Sequence, residues 1–235
     1  MQLKPAYAVS DIYDNLGRSA SQYQDPPWAC FSGSITVCGN GPSLADAPQP
    51  KGAIAAVNGA FRHLIERGIR PKFAICGDSQ AENAAFYATA PKGTMYLMAS
   101  RCHPSVFEAL AGRNVRVWHV SDTPEWHVIG AGRFITGGAT TGLKALNVLH
   151  GLGFDHFNLV GYDSCYRDGR HHAGAQPWND RDKVIITKIK DKQFLTTAWM
   201  LEQATQAVQQ FTHADYTVSV EGDGLLKQFW KGQMQ

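Results

Sequence analysis

From Ile35 onward the chain alternates short apolar runs with stretches of helical periodicity, and this alternation restricts the fold more than any other feature. The runs are Ile35–Cys38, Ala53–Val57, Phe73–Cys76, Met95–Met98, Val115–Val120, Phe157–Val160 and, late in the chain, Tyr216–Val220. Each is of strand length and ends at a turn residue. Helical patterns lie between them. Phe61, Leu64 and Ile65 form one face, closed by Gly68 and Pro71. Ala81–Thr89 reads as helical, and Pro104 opens a helix carrying Val106, Leu110 and Ala111. Leu143, Leu146 and Leu149 share a face that ends near Gly151 or Gly153.

Strands separated by helices build a parallel sheet covered on both faces. The expectation is an α/β fold: a single three-layer α/β/α Rossmann-like domain over residues 35–235, with a mostly parallel, doubly wound sheet. A chain of 235 residues with 44% hydrophobic content supplies the core such a domain needs. Residues 1–34 are irregular and read as an arm packed on the domain, stiffened by Asp25-Pro26-Pro27-Trp28, with Tyr13, Tyr23 and Trp28 available as anchors. Near the other end, Phe194, Ala198, Leu201, Thr205 and Val208 follow helical spacing and predict one long helix with a core-facing stripe. Lys183, Lys188, Lys190 and Lys192 read as the solvated face of its start, and a short helix is expected around Leu226–Trp230.

A formal net charge of +2 gives no reason to expect a nucleic-acid or membrane partner. Cys30, Cys38, Cys76, Cys102 and Cys165 show no paired spacing and read as reduced thiols. With no signal-like N-terminus and no apolar run of spanning length, the expected location is cytoplasmic. Assembly into a homo-oligomer stays open.

Chemistry is expected at the carboxyl ends of the strands, where open parallel sheets place their ligands. Several ends carry small or polar residues: Gly39-Asn40-Gly41, Asn58-Gly59, Gly77-Asp78, Gly161-Tyr162-Asp163 and Glu221-Gly222. In the first, Gly39-Asn40-Gly41-Pro42-Ser43, a glycine turn with exposed amides would let backbone N–H groups approach a phosphate. A plain strand-to-helix turn uses the same residues. Ile135-Thr136-Gly137-Gly138-Ala139-Thr140-Thr141-Gly142 forms a second glycine-rich helix start. Together these ends favour a nucleotide or phosphate site, although neither a dinucleotide fingerprint nor a P-loop is present. Residues 122–134, with Pro124, Trp126 and His127, are long and aromatic enough to wall a substrate.

Gly39-Asn40-Gly41-Pro42-Ser43-Leu44, Val57-Asn58, Ile135-Thr136-Gly137-Gly138 and the run Leu152 to Asp163 resemble two related groups. One is the MptE-like family of 6-hydroxymethylpterin diphosphokinases and motility accessory proteins. The other, more distant, is the bacterial family 42 sialyltransferases, which use CMP-sialic acid. The resemblance spans roughly Ile35 to His172, with a weaker echo at Val218–Gly224. It implies that Gly39, Asn40, Gly41, Pro42, Ser43, Asn58, Asp78, Thr136, Gly137, Gly138 and Asp163 line a nucleotide pocket. It also implies that Tyr162 or Tyr166 bonds the departing phosphate. Where the sialyltransferases have serine, this chain has Gly137, which leaves only backbone amides there. Asp78 matches the MptE-like pattern instead.

His172 or its neighbour His171 is a candidate general base, because imidazole titrates near neutral pH; a solvated loop histidine is the alternative. Asp163 either binds ribose hydroxyls or a cation, or caps a strand-end turn. Asp78 either holds Mg²⁺ with substrate phosphates or caps the helix after Ser79. A zinc site at Cys165, His171 and His172 is disfavoured by their spacing.

Three functions follow as expectations. The first is a transferase using a nucleotide or sugar nucleotide, chiefly a CMP-sugar-like donor, with a small-molecule, glycan or protein acceptor and no obligatory cofactor. The second is Mg²⁺-dependent diphosphate transfer from ATP to a pterin-like alcohol, with Asp78 and Asp163 holding the ion. The third is a non-catalytic nucleotide-binding module.

Overall fold

The computed structural model describes residues 10, 12, 14–16, 24–121, 134–174 and 182–233. Its strands are β1 (Ser34–Cys38), β2 (Ile54–Val57), β3 (Phe73–Cys76), β4 (Met95–Ala99), β5 (Asn114–Val120), β6 (Phe134–Ile135), β7 (His156–Val160), β8 (Val184–Ile189), β9 (Lys192–Thr197) and β10 (Thr217–Val220). Eight of them form one sheet in the order β10-β7-β1-β2-β3-β4-β5-β6, and every pairing in it is parallel. The chain winds outward from β1 through β2 to β6, then returns to the other side of β1 for β7 and β10. That reversal puts the switch point between β1 and β7, where Cys38 pairs with Val160. The three-layer Rossmann-like expectation holds.

The helices are α1 (Ser43–Asp46), α2 (Gly59–Glu66), α3 (Pro104–Ala109), α4 (Thr141–Leu152), α5 (Ala198–His213) and α6 (Leu225–Gln233). Central strands β2 and β3 are buried at every position, as a sheet sandwiched between helix layers requires. Phe31 ties the region before β1 to this core, stacking on Phe154 with ring centroids 5.5 Å apart and meeting Phe73 edge-on at 5.3 Å. Asn15 is buried and donates to the carbonyls of Ser79 and Arg101. α4 ends at Gly153, whose φ of +112° suits glycine, and a methyl there would collide with the Phe31 carbonyl. All five cysteines are free, and only Cys30 is exposed.

The largest departure from expectation lies before α5. In place of the expected start of the long helix, β8 and β9 form an antiparallel hairpin with Ile186 opposite Leu195. Val-Ile-Ile-Thr-Lys-Ile is rich in β-branched residues, and such residues favour a pleated surface over a helix. The turn falls at Lys190-Asp191, with Lys190 at φ +52°. Lys188 and Lys192 are therefore strand residues, and Lys183 precedes β8. The helix begins only at Ala198, where the Thr197 side chain accepts from the Met200 amide. Its fully buried residues are Met200, Ala204, Ala207 and Phe211, while Leu201 and Val208 of the predicted stripe are partly buried against the core. Two smaller corrections concern Ala81–Tyr87, which is a 3₁₀ helix, and α4, which starts at Thr141 after the short strand β6. The predicted wall at 122–133, and Tyr13, Tyr23 and Trp178, lie outside the described residues.

One pH dependence arises from the fold alone. His119 on β5 is buried, 5.7 Å from Phe134 between ring centroids, and its Nδ1 has no hydrogen-bond partner among the described residues. Burial lowers its pKa below 6.5, with Asp25 opposing weakly. A depressed histidine contributes stability above the unfolded value that is lost as pH falls through about 6.5, because the unfolded chain then binds a proton the native state refuses. His119→Phe should therefore unfold with a smaller loss of stability between about pH 7 and pH 5. Parallel losses in urea titrations of the two proteins would exclude His119 as the source.

Candidate functional site

Because Cys38 is in register with both Ala56 and Val160, the turns after β1, β2 and β7 emerge at one edge of the sheet. They are packed unusually closely. A methyl at Gly39 would stand 2.7 Å from the Gly161 carbonyl and 3.0 Å from the Tyr162 ring. One at Gly41 would collide with Asp163 Oδ2 and stand 2.5 Å from the Gly161 carbonyl. The two glycines thus allow the β1 and β7 turns to cross.

That crossing takes up most of the turn's amides. The Gly39 and Gly41 amides donate to the carbonyls of Val160 and Gly161, both at 2.8 Å. The Ser43 amide and hydroxyl donate to Asp163 Oδ2 at 3.0 and 2.9 Å, and the Leu44 amide donates to the Gly41 carbonyl. Pro42 has none to offer. Of the expected cradle, the Gly39, Gly41, Ser43 and Leu44 amides are thus turned into the protein, and the two glycines serve the packing of the turns. Asp163 is buried at the centre of it, which raises its pKa, while the two Ser43 bonds pull it down. This carboxylate clamps one strand end to the next.

The β2 end is different. Asn58 has φ +48° and ψ −127°, a glycine-like conformation that costs an asparagine about 1–3 kcal/mol. Its side-chain amide donates to Asp78 Oδ2 at 2.6 Å, and Thr141 at the start of α4 donates to Asp78 Oδ1 at 2.8 Å. Asp78 thereby joins β2, β3 and α4. It also fixes which way the Asn58 carboxamide faces, since only the NH₂ can donate to a carboxylate. The Oδ1 atoms of Asn58 and of Asn40, on the neighbouring turn, are buried and accept no hydrogen bond among the described residues. Leaving such an acceptor unpaired costs about 1–3 kcal/mol.

Above the β1 turn lies the predicted histidine pair. The Asn40 carbonyl accepts from the Ala173 amide at 2.9 Å and lies 3.3 Å from His172 Nδ1. A carbonyl only accepts, so Nδ1 carries the proton and the lone pair resides on Nε2. His171 is buried between the rings of Tyr166 and His172, with centroids at 5.0 and 4.3 Å. Tyr162 is buried against Gly39 and Gly142, its hydroxyl donates to the Gly142 carbonyl at 3.1 Å, and burial raises its pKa. It acts as a wedge between the β7 turn and α4.

Thr136, Gly137 and Gly138 have other partners. The Asn147 amide donates to the Thr136 carbonyl, Lys144 Nζ to the Gly138 carbonyl at 2.6 Å, and the Gly138 amide donates to Gln210 Oε1. These residues lie along α4 and α5 and not against the β1 turn. The structure therefore brings together Gly39 to Ser43, Asn58, Asp78, Tyr162, Asp163 and His172, with Tyr166 and His171 adjoining. Thr141 and Arg101 went unrecognised. Arg101 is buried at the β4 end with Nε donating to the Gly77 carbonyl at 2.8 Å. A charged residue two positions after the apolar run Met95–Ala99, and the Thr140-Thr141 pair before Gly142, were the available signals.

Magnesium held jointly by Asp78 and Asp163 does not fit. Their strands, β3 and β7, are three ladder spacings apart, about 14 Å. Both Asp78 oxygens and Asp163 Oδ2 already accept bonds. Among the described residues no cluster of three or more His, Cys, Asp or Glu side chains could hold a metal, and no helix is long and apolar enough to cross a membrane.

A family model described as 6-hydroxymethylpterin diphosphokinase MptE-like matches residues 10–169. Among solved structures, the MAf glycosyltransferase from Magnetospirillum magneticum AMB-1 superimposes with a TM-score of 0.66 at 15% sequence identity. The match covers 97% of this chain and 42% of that one. The comparison with curated proteins gives no match.

Proposed function

Because the chain belongs to the 6-hydroxymethylpterin diphosphokinase MptE-like family, we propose that it is a transferase acting on a nucleotide-activated donor at the β1–β2–β3–β7 strand ends. The reaction we favour is glycosyl transfer from a CMP-sugar-like donor to an acceptor hydroxyl. One observation carries this reading: His172, with its lone pair on Nε2, meets the Asn40 turn, and on the neighbouring strand end stands Asn58, strained in its backbone, fixed by Asp78 and with Oδ1 unpaired among the described residues. Strain and unmet acceptors of this kind collect at ligand sites. The likeness to a glycosyltransferase fold supports the reading further.

In the proposed step His172 Nε2 takes the proton of the acceptor hydroxyl. The freed oxygen bonds the anomeric carbon of the donor, and the bond from that carbon to the phosphate oxygen breaks, leaving its electron pair on the nucleotide. Asn40 and Asn58 offer acceptors to donor hydroxyls, and Tyr166 stands beside His171 within the same loop.

The family's own description favours a second reading, diphosphate transfer from ATP to a pterin-like alcohol. The commitments of Asp78 and Asp163 weigh against it. Thermal melts separate the two. The first reading expects CMP or CTP to stabilise the protein without added metal, by about 2.7 kcal/mol at a hundred times the dissociation constant. Stabilisation by ATP that requires Mg²⁺ would establish the second, and no response to any nucleotide would overturn both.

A further inference from the structure

The molecule has a second concavity that the strand-end site does not use. It lies between α4 and α5, has a volume of about 470 Å³, and is roofed by Thr136, Gly137 and Gly138. That volume falls in the range of small-molecule sites. None of the residues gathered at the strand ends lines it.

Its polar walls are fixed in advance. The Gln210 side-chain amide donates to the Leu143 carbonyl, to Asn147 Oδ1 and to the Tyr216 hydroxyl, and that hydroxyl donates to Asn147 Oδ1 at 3.0 Å. Gln206 Oε1 accepts from the Ala139 amide at 2.7 Å. Tyr216 packs against the His150 ring, 5.2 Å between centroids. On this platform stand three exposed groups, Gln209, His213 and Asp215, whose side chains make no hydrogen bond or ion pair with the described residues. Gln209 and His213 are one helical turn apart on α5 and so face the same way.

Charge narrows the ligand. No lysine or arginine lines the concavity, and Asp215 is its only carboxylate, so phosphates and carboxylates have no cation to meet. Carboxamides, imidazole and hydroxyls both donate and accept, as the hydroxyls of a sugar do. We propose that the α4–α5 concavity is a second binding site, for a neutral saccharide held by Gln209, His213 and Asp215. It stands independently of the nucleotide reading.

Saturation-transfer NMR on the full chain tests this, with glucose, galactose, N-acetylglucosamine and maltose as neutral probes and glucose 6-phosphate and gluconate as anionic ones. The expected result is saturation of at least one neutral sugar, not displaced by CMP, with little from the anions. The Gln209→Ala/His213→Ala double variant, altered only at exposed positions, should melt like the parent and bind that sugar roughly ten-fold more weakly or worse, having lost two hydrogen bonds. Silence from every neutral sugar, preference for the anions, displacement by CMP, or unchanged affinity in the double variant overturns the proposal.

Discussion

Replacing His172 with alanine is expected to lower transfer about a hundred- to ten-thousand-fold, the range lost with a general base. Nucleotide binding should survive nearly intact. The imidazole meets the β1 turn at the Asn40 carbonyl, and that carbonyl keeps its bond from the Ala173 amide when the ring is gone. The loss should therefore appear in kcat, with the nucleotide dissociation constant within about two-fold of the parent, as for a group acting only in the transition state. His171→Ala is the comparison. His171 lies between the rings of Tyr166 and His172, so its removal should loosen the base without deleting it. A parent-like rate for His172→Ala would remove His172 from the mechanism, and a larger loss for His171→Ala would pass the role to its neighbour.

The second large effect is on stability. Gly41→Ala places a methyl against the Asp163 carboxylate and the Gly161 backbone, neither of which is a flexible side-chain end free to swing aside. Asp163 is held by two bonds from Ser43, and Gly161 accepts the Gly41 amide. Overpacking commonly costs about 1–3 kcal/mol, and the upper end is expected where backbone must move. For a chain of this size, about 3 kcal/mol corresponds to a fall of roughly 6–12 °C in Tm. Gly174→Ala, where a methyl meets nothing within 4 Å among the described residues, is the control. Equal melting of the two variants would mean that the crossing of the β1 and β7 turns is looser than described.

The sheet was legible because its evidence is local: seven apolar runs of strand length, each closed by turn residues, correspond to β1, β2, β3, β4, β5, β7 and β10. The hairpin was not. Leu201 and Val208 do lie on α5, but Phe194 joins their helical period by accident of spacing, while the β-branched content of Val184–Ile189 carried the better signal for the hairpin. At the site, the same residues were legible as a set but not in their roles. Glycine turns suggest free amides, yet whether an amide is free depends on what the neighbouring strand offers, and β7 lies 120 residues further along the chain. Asp78 shows the same limit: its neighbours Asn58 and Thr141 come from two other elements, so its use as a positioning group for Asn58 appears only once the sheet is assembled.

The free cysteines give the protein built-in reporters of its own opening. Cys30 alone is exposed and offers a single attachment point for a dye or spin label. The other four mark different depths of the sheet: Cys38 ends β1, Cys76 ends β3, Cys102 follows β4 and Cys165 follows β7. Burial pushes the Cys38 thiol up to about 12 and the Cys165 thiol up to about 11, which keeps both protonated and unreactive while the fold is closed. Alkylation of each thiol is thus gated by the opening of its own strand, and the native chain can be read strand by strand without introducing a single substitution.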